Sequence, residues 1–331
     1  MNNDVPYVTV VIPAHNEEDY IERCLTSILA QDYPDSRYEA IVVNNNSTDA
    51  TPKIARQLGV QVIDEPQGPV GRVRNAGAKA ARGEVLLFID SDCIAPSDWI
   101  SYAAGKISSE HGLVLGGGCE LPQNPKPIEK YWLLNGTEGA TLPRDLIGAS
   151  IAIATSDFFD VGGFDETVTS GEDSKLSAML RQRSFSVVID RKMSVTHLGN
   201  ATDIRAFFQR QVWHSENYIA DFKVSLTDPT FILVVIFAVS ISLAMASLPF
   251  QPELSLVSLV LAASIPLVFS FKRILRSGNP AHMRSILTVY AIDAVYIAGR
   301  SFGLVKGLLG WLKSHSASND SRHRKKEADT R

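Results

Sequence analysis

A run of five apolar residues, Val85 to Ile89, ends in two carboxylates one residue apart, Asp90 and Asp92. Gly83 before the run and polar residues after it suit a strand buried on both faces of a parallel sheet. Such a strand presents its carboxyl end at the edge where open α/β sheets place their ligands. Buried carboxylates need a partner, and a divalent cation with a phosphate is a common one for an Asp-x-Asp at that edge. A solvated turn, with Ser91 and Asp92 opening the next element, accounts for the same residues. The surrounding sequence has to decide.

The first half of the chain alternates strands and helices. Val8–Ile12 is a β-branched run broken at Pro13-Ala14-His15-Asn16, and a helix is expected from Glu17 with Ile21, Leu25, Ile28 and Leu29 on one apolar stripe. Asn16 is the expected cap of that helix, and Glu17, Glu18 and Asp19 suit its positive end. Glu39–Val43 predicts a second strand, followed by a helix capped from Ser47–Asp49 and reaching about Leu58. Val60–Ile63 predicts a third strand, and Gly68–Arg82 a helix rich in Gly and Ala. This order predicts βαβ units and an α/β fold with a mostly parallel, Rossmann-like sheet.

Three of those strands end in polar clusters: His15-Asn16-Glu17, Asn44–Asn46 and Asp90–Asp92. Right-handed crossovers would bring all three to one edge of the sheet. The pocket so formed offers amides for a base, an acid for a ribose, and carboxylates plus a metal for phosphates. No Gly-x-Gly-x-x-Gly or Gly-x-x-x-x-Gly-Lys-Ser/Thr follows the first strand, which counts against dinucleotide oxidoreductases and P-loop enzymes. Diphosphate charge would then fall to the metal and to a cation such as Arg74.

Six stretches now align with a known pattern: Val11–Glu18, Val42–Thr51, Gly71–Gly77, Phe88–Asp92, Gly162–Glu166 and Gly171–Asp173. Over roughly residues 8–215 the chain resembles a family 2 glycosyltransferase of GT-A fold. The resemblance implies that Ala14, Glu17, Asn45 and Arg74 line a nucleotide pocket and that Asp92 holds a divalent metal, Mg²⁺ or Mn²⁺, on the donor's diphosphate. Pro13, Asn16, Asp90 and Ser91 complete the donor-binding candidates, with Asp90 beside Asp92 at the metal. The family usually has an Asp where Asn44 and Asn45 stand, and an Asn pairs differently with a uracil N–H.

The transfer itself needs a base for the acceptor hydroxyl, and a carboxylate is the minimal device. Asp173 matches the family's base, with Glu172 positioning the loop or acceptor before a helix expected over Ser174–Gln182. Read locally, both are first-turn acids of a surface helix. Val187–Ile189 and Met193–Val195 read as short strands with His197 just after. A His there completes the metal site in related enzymes, and otherwise is a packing residue. Gln209–Trp213 is similar to the Gln-x-x-Arg-Trp of processive synthases, but Val212 stands in the Arg position. Trp213, Arg210 and Trp132 are the candidates for the acceptor or the membrane face.

Phe231–Leu248 and Leu254–Phe271 are each 18 residues without a charge. Each reaches roughly 27 Å, enough to span a bilayer. Lys272, Arg273, Arg276 and Arg284, and a basic tail from Lys313, put the flanking segments and the catalytic domain on the cytoplasmic side, the inner membrane in a bacterium. Ile286–Trp311 is interrupted by Asp293, Arg300 and Lys306, and is expected as an interfacial helix or a third span. The organisation predicted is a catalytic domain over 1–228, a membrane region over 229–311 and a disordered tail over 312–331. A net charge of −4 gives no reason to expect nucleic acid. Three scattered cysteines, Cys24, Cys93 and Cys119, predict neither a disulfide framework nor a zinc cluster. Met1-Asn2-Asn3-Asp4 has no basic, apolar leader pattern, so a cleavable signal peptide is not expected.

The expected function is metal-dependent, inverting transfer of a sugar from a nucleotide-diphosphate sugar to a lipid-linked or cell-envelope glycan at the membrane. A processive synthase and a silent scaffold are the rivals. Val212 and the few spans oppose the first, and intact Asp90, Asp92 and Asp173 oppose the second.

Overall fold

A computed structural model describes residues 5–66, 68–139, 142–215, 218–219 and 222–328. The chain packs into two compact units. One runs to Pro125 and from Asn135 to Asn200; the other takes Lys126–Leu134 and the chain from Ala201 onward. The composition change after residue 228 therefore falls inside the second unit, and packing divides the chain earlier.

In the first unit β1 (Val8–Ala14), α1 (Ile21–Leu29), β2 (Tyr38–Asn44), α2 (Thr51–Gln57), β3 (Gln61–Asp64), α3 (Val70–Ala80) and β4 (Val85–Phe88) alternate as predicted. Then come β5 (Cys93–Ile94), α4 (Trp99–Ser109), β6 (Leu113–Gly116) and β7 (Cys119–Glu120). After α5 (Pro127–Leu133), which packs in the other unit, follow β8 (Ile151–Ala154), α6 (Thr155–Asp160), α7 (Glu172–Gln182), β9 (Ser186–Ile189) and β10 (Val195–His197). The main sheet has seven strands in the order β3-β2-β1-β4-β8-β6-β9. β3, β2, β1 and β4 run parallel, while β8 is antiparallel to both β4 and β6. A small sheet, β5-β10-β7, pairs His197 with Cys93.

Alternation along the buried strands splits the core into two layers. Val10, Ile12 and Leu87 pack on one face with α1 and α4, and Val11, Leu86 and Phe88 pack on the other with α3 and α7. Every residue of β1 and β4 is buried, the run expected of a central parallel strand. Phe88, Phe158 and Phe164 form a ring cluster with centroids 5.1–5.5 Å apart. Such pairs add about 0.5–1.5 kcal/mol each beyond burial.

Three local expectations need correction. The first helix begins at Ile21, and Asn16 does not cap it: Asn16 sits at φ 55° and its side chain serves the next loop. Cys24, not Leu29, completes the buried stripe, because Leu29 is 44% exposed. His197 lies on a strand rather than after one, since pairing with Cys93 extends β10 to it.

The second unit is helical: α5, α8 (Ile204–Ser215), α9 (Phe222–Ser225), α10 (Pro229–Ser247), α11 (Pro252–Ser277) and α12 (Ile286–Ala328). α10 and α11 are long and apolar enough to cross a membrane, with mean hydropathy 2.4 and 2.2 over their best windows. α12 continues as backbone helix through Ala328, past the expected end at 311, so the tail is not the structureless segment predicted. Within this unit Asp293 is 1% exposed; its Oδ2 lies 2.9 Å from Arg273 Nη2 in an ion pair and accepts from Ser270 at 2.7 Å. The Arg273 guanidinium also lies 4.5 Å from the Trp132 ring centroid and donates to the Tyr131 carbonyl. A buried acid inside a helical bundle needs such partners; here Oδ2 has them, while Oδ1 has no hydrogen-bond partner among the described residues.

Candidate active site

The carboxyl ends of β1 and β2 are laced together by their two loops. Asn45 N–H donates to the Ala14 carbonyl at 2.8 Å, and Asn16 N–H to Ser47 Oγ at 3.1 Å. Thr48 N–H returns to Asn16 Oδ1 at 2.8 Å, and Glu17 N–H reaches Thr51 Oγ1 at 2.7 Å. Glu18 and Asp49 exchange bonds with each other's loops, at 3.1 Å to Asp49 and 2.9 Å to Glu18. Pro13 and Ala14 are buried beneath this lace, and Glu17 and Asn45 are half-buried. The Asn44 amide is committed to Asp64 at 2.8 Å and to Ser47 N–H at 3.1 Å. Asn44 thus belongs to the framework, and Asn45 is the amide at the sheet edge.

At the end of β4 the geometry turns on Arg74. Its guanidinium is 3% exposed and donates to Asp90 Oδ1 at 2.6 Å and to Glu172 Oε1 at 2.5 Å. Phe164 lies 5.5 Å beneath it. Burial alone would lower the Arg74 pKa, but Asp90, Glu172 and Asp173 together hold it above its ordinary value. Burial also pushes the Glu172 carboxyl up, opposed by Arg74 and reinforced by Asp173. The positive charge expected opposite a diphosphate is therefore balanced by two carboxylates, and Arg74 joins α3 to β4 and α7.

Glu172 is 5% exposed, so it is not a surface acid of the α7 first turn. Asp173 beside it is half-buried. Its Oδ1 accepts from Ser174 N–H at 2.7 Å and its Oδ2 from Gly148 N–H at 3.1 Å. A Cβ on Gly148 would overlap the Arg74 guanidinium, so a larger residue there would have to displace it. Asn75, next to Arg74, brackets the loop ahead of α7: it accepts from Phe164 N–H and donates to the Phe164 carbonyl, both at 2.9 Å.

Asp92 faces away from this cluster, towards β10. Its Oδ2 lies 3.4 Å from His197 Nε2, and its backbone carbonyl accepts from Leu198 N–H at 2.8 Å. A gap of 3.4 Å is long for an N–H···O bond of about 2.9 Å, and suits two donors to one cation. His197 Nδ1 is buried with no hydrogen-bond partner among the described residues. Gly199 closes the other side, where a Cβ would overlap the Asp92 carboxylate. Asp92 and His197 therefore fit a divalent ion. Asp90, expected beside Asp92 at the metal, is turned to Arg74, and Ser91 between them is buried.

Sequence reasoning missed Cys93, whose donor atom groups with those of Asp92 and His197 within 4.8 Å. It also missed Asn75, Gly148 and Gly199. No periodicity marks a strand at Cys93, and only the β5–β10 pairing reveals its neighbour. Of the acceptor candidates, all in the second unit, Trp132 packs on Phe207 and Tyr296 at 4.9 and 5.0 Å, in the bland role of a core ring. Trp213 is 51% exposed on α8, Arg210 is half-buried there, and Val212 is buried.

Residues 9–164 match the family described as Glycosyl transferase family 2. The chain is similar to the glycosyltransferase AglE of Haloferax volcanii, 31% identical over 188 residues that cover 52% of this chain and 60% of the relative. It is also similar to the poly(ribitol-phosphate) beta-N-acetylglucosaminyltransferase TarS of Staphylococcus aureus, 30% identical over 199 residues, 55% of this chain and 34% of the relative. The chain thus spans between a third and three fifths of the length of these relatives. Among solved structures it is similar to the mannosyltransferase PcManGT from Pyrobaculum calidifontis in complex with GDP-Man and Mn²⁺. That match has a TM-score of 0.59 and 20% identity over 92% of this chain and 88% of that one, which is a likeness of fold. The expected GT-A fold is the one observed.

Proposed function

We propose that this chain, whose residues 9–164 match glycosyl transferase family 2, is a metal-dependent, inverting glycosyltransferase using a nucleotide-diphosphate sugar. The observation that carries this reading is the joint held by Arg74. One buried guanidinium ties the Asp90 end of β4 to the first turn of α7, whose second residue is Asp173. A donor at the sheet edge and a base on α7 are thereby fixed to the same group.

In this reading the lace of Pro13, Ala14, Asn16 and Glu17 with Asn45 forms the nucleoside floor, and Asp90 and Ser91 meet the ribose and diphosphate. Asp173 accepts the proton of the acceptor hydroxyl as its oxygen attacks the anomeric carbon from the face opposite the leaving group. The bond from that carbon to the diphosphate oxygen breaks, and the nucleoside diphosphate departs with the electron pair. Asp92 and His197 would hold a divalent ion, Mg²⁺ or Mn²⁺, which when bound neutralises charge on the diphosphate by Lewis-acid action. Arg74 and Glu172 position Asp90 and Asp173 without touching substrate.

Similar proteins support the donor class: PcManGT is in complex with GDP-Man and Mn²⁺, and TarS is a poly(ribitol-phosphate) beta-N-acetylglucosaminyltransferase. The two apolar helices support attachment to a membrane, with α10 and α11 as spans and the basic segments beyond α11 on the cytoplasmic side with the catalytic unit. The acceptor class that fits is a lipid-linked or cell-envelope glycan. Thermal stabilisation of the purified, detergent-solubilised chain by UDP-, GDP- and dTDP-sugars, with and without Mn²⁺, tests this. One nucleotide family should raise the midpoint only with metal. No shift with any donor in folded protein would favour a silent scaffold.

A further inference from the structure

Asp92 and His197 are not the only donors at their end of the small sheet. Cys93 is fully buried, stands directly opposite His197 in the β5–β10 pair, and points its Sγ to Asp92 Oδ1 at 3.6 Å. The Asp oxygen, His nitrogen and Cys sulfur lie within 4.8 Å of one another. Bonds of about 2.0–2.3 Å from a tetrahedral ion would set its donors about 3.5 Å apart, so small side-chain rotations close this set on one ion. His197 Nδ1 is buried without a hydrogen-bond partner within the described residues.

We infer that Asp92, Cys93 and His197 form a mixed O/S/N site that takes a thiophilic divalent ion of the zinc and cadmium class. The inference rests on the metal reading above and adds a residue that it does not use. Hard ions such as Mg²⁺ and Mn²⁺ favour oxygen and gain little from sulfur, whereas Zn²⁺ and Cd²⁺ gain a strong thiolate bond. On binding, the Cys93 S–H proton leaves to solvent and its lone pair forms the sulfur–metal bond, with no change of oxidation state. Zinc-class ions then occupy the place of the hard ion and block it. As a mere packing residue, Cys93 would act as a small hydrophobe with a weak S–H donor.

The test is titration of the full chain with Cd²⁺, read by the ultraviolet thiolate-to-metal charge-transfer band, alongside Mn²⁺ binding read by electron paramagnetic resonance. The band should saturate at one thiolate per chain in the unaltered protein and in Cys24→Ser and Cys119→Ser, and vanish in Cys93→Ser. Zn²⁺ affinity should fall about tenfold or more in Cys93→Ser while Mn²⁺ affinity holds within about threefold. If Cys93→Ser does not fold, the double variant Cys24→Ser/Cys119→Ser keeps Cys93 as the sole thiol and should retain the band. Mn²⁺ binding without any Cd²⁺ band overturns the inference and leaves the metal reading standing. A band that survives in Cys93→Ser also overturns it. Binding of neither ion removes both.

Discussion

Arg74 Nη2 lies 2.6 Å from Asp90 Oδ1, and this pair fixes the orientation of the carboxylate that ends the central strand. The other terminal nitrogen of the same guanidinium holds Glu172, so three elements meet at one side chain. Removing a buried partner leaves uncompensated charge, which costs far more than the intact pair gains.

Arg74→Met should therefore destabilise the first unit by about 3 kcal/mol, the low end for a broken buried pair because Asp90 is 31% exposed. For a unit of this size that is a fall of about 6–12 °C in unfolding midpoint. Glu172→Leu added to Arg74→Met should recover part of the loss. Calorimetry of the purified chain decides this, and an unchanged midpoint in Arg74→Met would show that the joint does not hold the unit together.

Gly199→Ala places a methyl where the Asp92 carboxylate stands. The backbone of Gly199 is not left-handed, so space alone is at issue. A displaced Asp92 should weaken Mn²⁺-linked donor binding by about tenfold or more, since misplacement by an ångström can cost a hundredfold in such sites. Calorimetric titration with Mn²⁺ measures it, with circular dichroism as the check on folding. Affinity equal to that of the unaltered chain would remove Asp92 from the metal.

Acid should loosen the lace between the first two loops. Burial, the largest single cause, would raise the Asp49 pKa, but hydrogen bonds from Thr51 and from the Glu18 backbone together outweigh it, so the folded value is lowered. A carboxylate lowered on folding contributes stability above its unfolded pKa of about 3.9, and that contribution is lost as pH falls through the folded value. Asp49→Asn should thus lower the midpoint at pH 7, with the gap to the unaltered chain shrinking as pH drops below about 4. A gap that stays constant across that range would show that Asp49 is not held ionised by the fold.

The parallel half of the sheet was legible because its strands are continuous apolar runs and its helices carry one apolar stripe, as at Val85–Phe88 and Ile21–Ile28. The positions of Asp90 and Asp92 followed from where the apolar run of Val85–Ile89 ends, whereas Asp173 was singled out only by the family resemblance. The partners of these acids followed from neither. Arg74 is 98 residues from Glu172, and nothing in either stretch announces that they meet. His197 and Cys93 come together only through a strand pair two residues long, below what periodicity can register. Asn16 looked like a helix cap because Asn precedes an acidic turn, yet the lace to Thr48 won its side chain. The end of α12 was misjudged from composition, since a polar, basic tail signals solvation but does not forbid helix.

The most direct measurement compares Asp173→Asn with the unaltered chain, using whichever donor stabilises the protein. Donor affinity should hold within about threefold while transfer falls by about 10²–10⁴, the range lost with a general base. Transfer at the unaltered rate, with Asn at 173, would contradict the assignment of Asp173 as the base.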